Sequence, residues 1–193
     1  MNASPWAGFL RELAACALAV LASVQAFAQS PTPLVPADFK VPEKLETMEF
    51  RLRMLTVNDV VKDYDAVMTS GAHLKTVYPG GTWPDGLTLE QNLIELGWHQ
   101  NEFQRRRSFA YTVVSPSEER VLGCVYINPT PKRGFDASVT LWARQSEIAT
   151  GLETRLAAAV KSWIAKEWPF KNVAYPGRDI AWEEFRQLPD EKR

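Results

Sequence analysis

The sequence predicts a mixed α/β domain, a central and mostly antiparallel sheet with helices on both faces. Three observations carry this. Three short β-forming runs follow one another with turn residues between them. The middle run is apolar on both faces, as a strand covered from both sides must be. A long helical stripe comes next and is stopped by a proline. Hairpin-linked strands flanked by helices give a mixed sheet, not a doubly wound parallel one.

Each element follows from its residues. Phe50-Arg51-Leu52-Arg53-Met54 alternates apolar and basic side chains with the period of a half-buried strand. Thr56, with Asp59 three positions on, caps a helix whose stripe is Val57, Val60, Val61, Tyr64, Val67 and Met68. Residues 78–86 carry Pro79, Gly80, Gly81, Pro84 and Gly86, and so form a loop. Thr88 and Gln91 make a capping box for a second helix with Leu89, Leu93, Leu96 and Phe103 on one face. Strands are expected over residues 109–114, 120–127 and 137–143, broken at Pro116 and at Asn128-Pro129. The long helix covers residues 151–168, with Leu152, Leu156, Ala159, Val160, Trp163 and Ile164 inward, until Pro169 ends it. Residues 172–175 give a short strand closed by Pro176-Gly177, and residues 182–185 a last helical turn. From Leu188 the tail is polar and expected to fray.

Ahead of this domain the chain reads as an export signal. Arg11 precedes an uncharged apolar run over residues 13–24, and Ala26-Phe27-Ala28 supplies the small-x-small pattern of a cleavage site. The run is too short for a membrane span, which takes about 20 residues. Leu13-Ala14-Ala15-Cys16 resembles a lipobox, but its apolar stretch follows Cys16 instead of preceding it. The organisation is then a signal peptide over 1–28, a Pro-rich linker over 29–49, the domain over 50–186 and a polar tail over 187–193. Cleavage leaves Cys124 as the sole cysteine, so no internal disulfide forms. The net charge is −1, from 22 basic and 23 acidic residues, which gives no reason to expect a nucleic-acid partner. Arg105, Arg106 and Arg107 read as a solvated helix end. No His/Cys cluster has metal spacing, so no metal is expected. Cys124 on a central strand reads as a small buried hydrophobe.

The order of elements, together with Phe50-Arg51-Leu52-Arg53-Met54-Leu55 and Val121-Leu122-Gly123-Cys124-Val125-Tyr126-Ile127, resembles the GNAT superfamily of acyl-CoA-dependent N-acyltransferases. The resemblance covers residues 50–185. It implies transfer of an acyl group from acetyl-CoA to a primary amine, on a small molecule or a peptide. In that family a loop of pattern [Gln/Arg]-x-x-Gly-x-[Gly/Ala] holds the pyrophosphate on backbone N–H groups at a helix N-terminus. The corresponding stretch here is Ser146-Glu147-Ile148-Ala149-Thr150-Gly151, in which only Gly151 fits, followed by Leu152 at the helix start. Glu147 adds a negative charge beside the phosphates. The resemblance further implies that backbone amides of Leu141, Trp142 and Ala143 hold the pantetheine arm. Trp142 is either a wall of the acyl pocket or a residue packed against a helix.

Catalysis in such a fold needs proximity, a base for the amine and sometimes an acid for the thiolate. Tyr175 is the candidate acid, or else a core tyrosine. Glu147 is the candidate base, or else a solvated loop carboxylate. His73 and His99 are the two histidines; His99 suits a base by its chemistry, or else sits capped on a helix. A second reading is an exported, non-catalytic binding or accessory domain of the same fold, because the loop is degenerate and acetyl-CoA is a cytoplasmic metabolite. Translation from a downstream start would instead make the domain cytoplasmic. If the export reading holds, N-terminal sequencing of protein from an export-competent host is expected to begin at Gln29. A chain starting at Met1, or a lipid on Cys16, refutes it.

Overall fold

The computed structural model describes residues 32–191. The signal-peptide reading, its cleavage site and Cys16 lie outside them. Six strands form one sheet in sequence order: β1 (Lys44–Glu46), β2 (Arg51–Met54), β3 (Phe109–Val114), β4 (Val121–Asn128), β5 (Ala137–Ala143) and β6 (Val173–Ala174). Neighbours from β1 to β5 are antiparallel and only β5 and β6 are parallel. The sheet is therefore mixed, with a long antiparallel meander and one parallel edge. Among the described residues the helices are α1 (Val60–Met68), α2 (Gly71–Val77), α3 (Leu89–Gln104), α4 (Leu152–Glu167) and α5 (Trp182–Gln187).

Alternation along the strands feeds two cores. Leu52, Phe109, Tyr111, Val113, Val125, Ile127, Val139 and Leu141 face α4, which buries Leu152, Leu156, Val160, Trp163 and Ile164 against them. An aromatic cluster closes that core: Tyr111 meets Trp163 edge-on at 5.1 Å, and Trp163 meets Trp168 at 5.6 Å. On the other face Ala110, Val114, Cys124 and Trp142 pack under Ala66, Val67, Leu74 and Leu96 of the first three helices. Gly123 makes the strand spacing possible. A Cβ there would sit 2.0 Å from the Trp142 carbonyl oxygen on β5, so any other residue forces β4 and β5 apart.

Several expectations need correction. The helix from Thr56 is a 3-10 turn (Val57–Asp59) followed by α1, and the inward face of α1 is Asp63, Ala66 and Val67, with Val61 and Met68 exposed. On α3, Leu89 and Leu93 are exposed, while Asn92 and Leu96 are buried. The cause is polar: Asn92 Nδ2 donates to Asp63 Oδ2 at 3.0 Å, and this pair holds the α1–α3 contact. Hydrophobic periodicity cannot register a stripe built on Asp and Asn. α2 and β1 escaped the reading because α2 buries one side chain, Leu74, and β1 is three residues long.

The Pro-rich segment before residue 50 is extended yet packs on the domain. Val35 is buried, the Leu34 N–H donates to the Arg106 carbonyl, and Tyr111 Oη donates to the Pro42 carbonyl. Arg106 is thus no free helix-end charge: its guanidinium donates to the Pro36 and Phe39 carbonyls at 2.6 and 2.7 Å. The tail is also tied down. Pro189 accepts from the Arg133 N–H, and the Glu191 N–H donates to the Pro131 carbonyl.

Trp163→Ala is expected to cost about 3–5 kcal/mol in chemical denaturation. Lys161→Ala, which loses an exposed ion pair to Asp179 and a contact over the Tyr175 ring, is expected to cost about 1 kcal/mol or less. Equal midpoints would place α4 with the wrong face inward. A second test concerns pH. Burial raises Asp63 to about 6, against the lowering effect of the Asn92 and Cys124 hydrogen bonds, and burial lowers His99 to about 4. Folded Asp63 keeps a proton that the unfolded chain has lost between pH 4 and 6, so its contribution falls as pH rises. Folded His99 lacks a proton that the unfolded chain holds between pH 4 and 6.5, so its contribution grows as pH rises. Each amounts to about 3 kcal/mol at full titration. Across pH 4–6, Asp63→Asn is expected to show a stability slope more positive than wild type, and His99→Gln a slope more negative.

Candidate active site

The site forms where the parallel edge of the sheet opens. β5 and β6 pair only at Ala137–Val173 and Ser138–Ala174. Beyond Ala174 the chain turns away: the Tyr175 carbonyl accepts from the Arg178 and Asp179 N–H groups, and Pro176 has no N–H to offer β5. Gly177 at φ +78° lies flat under the Trp182 indole, which a Cβ would approach to 2.6 Å. Trp182 Nε1 donates to the Val77 carbonyl at 2.8 Å, fixing the turn to the end of α2. Thr140, Leu141 and the residues after them are left without a β6 partner.

The opening is a cleft of about 190 Å³ lined by His73, Thr140, Leu141, Glu153, Arg178 and Trp182, among others. Its exposed strand edge is satisfied by side chains. The Ala143 N–H donates to Glu153 Oε2 at 2.9 Å, and Arg178 Nη2 donates to the Leu141 carbonyl at 3.3 Å. The same guanidinium reaches Glu153 Oε1 at 2.9 Å, and His73 Nε2 lies 2.6 Å from Glu153 Oε2. Burial alone would raise the Glu153 carboxyl; the Ala143 N–H, His73 and Arg178 outweigh it and hold it below the usual range. Glu153, which already accepts from Ala143 and Arg178, accepts from His73 Nε2–H, and in the neutral ring Nδ1 is then the acceptor nitrogen.

The residues singled out in the sequence are distributed unevenly about this cleft. Leu141 lines it, and the Ala143 N–H reaches it only through the Glu153 carboxylate. Trp142 does not: amides alternate along a strand, the Arg144 N–H donates to Leu122 on β4, and so the Trp142 amide also faces β4. Its side chain is fully buried, packed among the helices of the second core. Gly151 is the N-cap of α4 at φ +75°, and Leu152 is buried behind it. Glu147 lies in the 3-10 turn Gln145–Glu147 before α4, where Arg120 Nη2 holds it at 2.9 Å. Tyr175 is turned toward α4, under Lys161, and burial together with Asp179 raises it to about 12. Neither Glu147 nor Tyr175 is among the residues lining the cleft.

Sequence reasoning missed the trio His73, Glu153 and Arg178. Glu153 is one polar position among several on a helix, and Arg178 falls between the predicted elements. The one signal available is a carboxylate in the first turn of the strongest helix, two residues after the glycine N-cap.

No family model and no curated protein sequence matches the chain, but solved structures do. The ribosomal-protein-S5-alanine acetyltransferase of Vibrio fischeri superposes with a TM-score of 0.52 at 17% identity, covering 64% of this chain and 67% of that one. RimL, a ribosomal L7/L12 α-N-protein acetyltransferase in complex with coenzyme A, gives 0.53 at 17% identity over 65% and 70%. The microcin C7 self-immunity acetyltransferase MccE, in complex with acetyl-CoA and AMP, gives 0.57 at 11% identity over 70% and 73%. Together with the meander, the splayed parallel edge and the helix that follows it, these likenesses establish that the chain has the fold of the GNAT acetyltransferases.

Proposed function

We propose that the domain is an acyl-CoA-dependent N-acyltransferase whose chemistry takes place in the cleft between β5 and β6. The observation that carries this is the unpaired edge of β5. The Ala143 N–H and Leu141 C=O are a donor and an acceptor at peptide spacing, the complement of an amide-bearing arm such as pantetheine. Glu153 and Arg178 satisfy them in the meantime, so a donor replaces those bonds one for one instead of uncovering bare polar groups. RimL and MccE, which share the fold, bind coenzyme A and acetyl-CoA respectively. Gly151 at the start of α4 carries no Cβ, and the Arg155 guanidinium lies beside it, so an anion at the helix N-terminus would meet a cation there.

Within this reading His73 replaces Glu147 as the base. Glu153 orients the imidazole through Nε2, as a carboxylate orients histidine in other acyl-transfer sites, and Nδ1 takes the proton of the acceptor amine. Tyr175, packed in the α4 core under Lys161, has no part in the proton transfer. The non-catalytic alternative gains no support, because the cleft holds an oriented histidine and a hydrogen-bonding strand edge that a merely structural domain does not need.

Calorimetric titration of acetyl-CoA into the full chain is expected to give saturable binding. Gly151→Asp, which places a side chain and a charge at the helix start, is expected to abolish it. His73→Gln keeps a donor to Glu153 and is expected to bind acetyl-CoA normally while losing about 10²–10⁴-fold in transfer rate. No heat from folded wild type at millimolar acetyl-CoA would overturn the reading, and full activity of His73→Gln would remove the base.

A further inference from the structure

A second pocket opens on the face of the sheet covered by α1, α2 and α3, beside the cleft. It holds about 510 Å³, within the usual range for small-molecule sites, and is lined by Tyr78, Trp83, Glu95, Trp98, His99, Tyr126, Asn128 and Thr140. Its walls are rings: Tyr78 meets Trp83 edge-on at 6.1 Å, and His99 lies 4.9 Å from Trp98 and 5.2 Å from Tyr126. Trp98 is 55% exposed at the rim, a large exposure for an indole with no partner helix over it.

The charge in this pocket is one-sided. Glu95 is the only carboxylate in the lining, and no lysine or arginine lines it. Glu95 has no ion-pair partner among the described residues. Burial against the rings raises its carboxyl, partly offset by the Trp83 indole, as for an anion short of a countercharge. His99, lowered to about 4 by burial, is neutral near pH 7 and supplies no such charge. Faces of tryptophan and tyrosine attract cations, and rings around one carboxylate make a box for an organic ammonium group.

The pocket adjoins the cleft. Thr140 lines both, and Tyr78 of the pocket lies 6.3 Å from Trp182 of the cleft. We propose that the pocket recognises an ammonium group on the acceptor, which is therefore a diamine or an aminoalkyl-ammonium compound, with its other nitrogen directed to the cleft. The acceptor role rests on the acyltransferase reading; the ammonium site itself does not.

The test has two arms, at fixed ionic strength. In the first, tetramethylammonium is titrated into the full chain and followed by tryptophan fluorescence, with tert-butanol as the neutral isostere. Saturable binding is expected, weakened at least tenfold by Trp98→Ala and by Glu95→Gln. Both residues are exposed on α3, and a thermal melt confirms that each variant folds. Equal binding of tert-butanol, or tetramethylammonium binding that ignores both variants, overturns the proposal. In the second arm, acetyl transfer to 1,4-diaminobutane is compared with transfer to pentylamine. The diamine is expected to have a KM at least tenfold lower, an advantage that Glu95→Gln removes. Transfer without preference between the two amines refutes the ammonium subsite and leaves the acyltransferase reading standing. Ammonium binding as expected, with transfer to neither amine, upholds the site and removes its acceptor role together with that reading.

Discussion

Two residue pairs between β5 and β6 set the terms for the rest of the molecule. A parallel edge that pairs only at Ala137–Val173 and Ser138–Ala174 leaves the remainder of β5 with backbone groups that must be satisfied by something else. Glu153 and Arg178 do so, and in doing so they bind each other and draw His73 against the same carboxylate. The opening is therefore a device with consequences. It converts a hydrogen-bonding deficit in the sheet into a cluster of oriented polar side chains.

The opening would be unstable if its two sides were free to close or drift. The β5 side is held by β4, whose Gly123 permits the close approach to Trp142. The β6 side is held by the turn after Tyr175, by Trp182 over Gly177, and by the Trp182 bond to Val77. α4 connects them, with Glu153 in its first turn and Trp163 anchored in the aromatic core about three turns further on. The rigidity of the site is thus borrowed from the core on one face and from the α2–α5 contact on the other.

The other face works by a different balance. There a buried carboxylate, an amide and a thiol (Asp63, Asn92 and Cys124) join helix to helix and helix to sheet. A polar contact of this kind costs stability at neutral pH, since Asp63 must ionise in a dry place, but it fixes the angle at which α3 crosses α1. That angle decides which way Trp98, His99 and Glu95 point, and so shapes the aromatic pocket beside the cleft.

The sequence by itself determined β2 to β5 of the meander, the long helix with most of its inward stripe and the mixed character of the sheet. These are local periodicities, and Leu152, Leu156, Val160, Trp163 and Ile164 lie where spacing alone puts them. The family resemblance, and no periodicity, singled out Leu141, Trp142, Ala143 and Gly151; of these Leu141 lines the cleft. The inward faces of α1 and α3 were not legible, since Asp63 and Asn92 break the apolar stripe and only each other's presence makes their burial tolerable. The site's side chains were not legible either. His73, Glu153 and Arg178 are separated by 80 and 25 positions along the chain, and none has a motif. Only the tertiary structure brought them to one strand edge, where an unpaired N–H and an unpaired carbonyl demanded partners that no local pattern could announce.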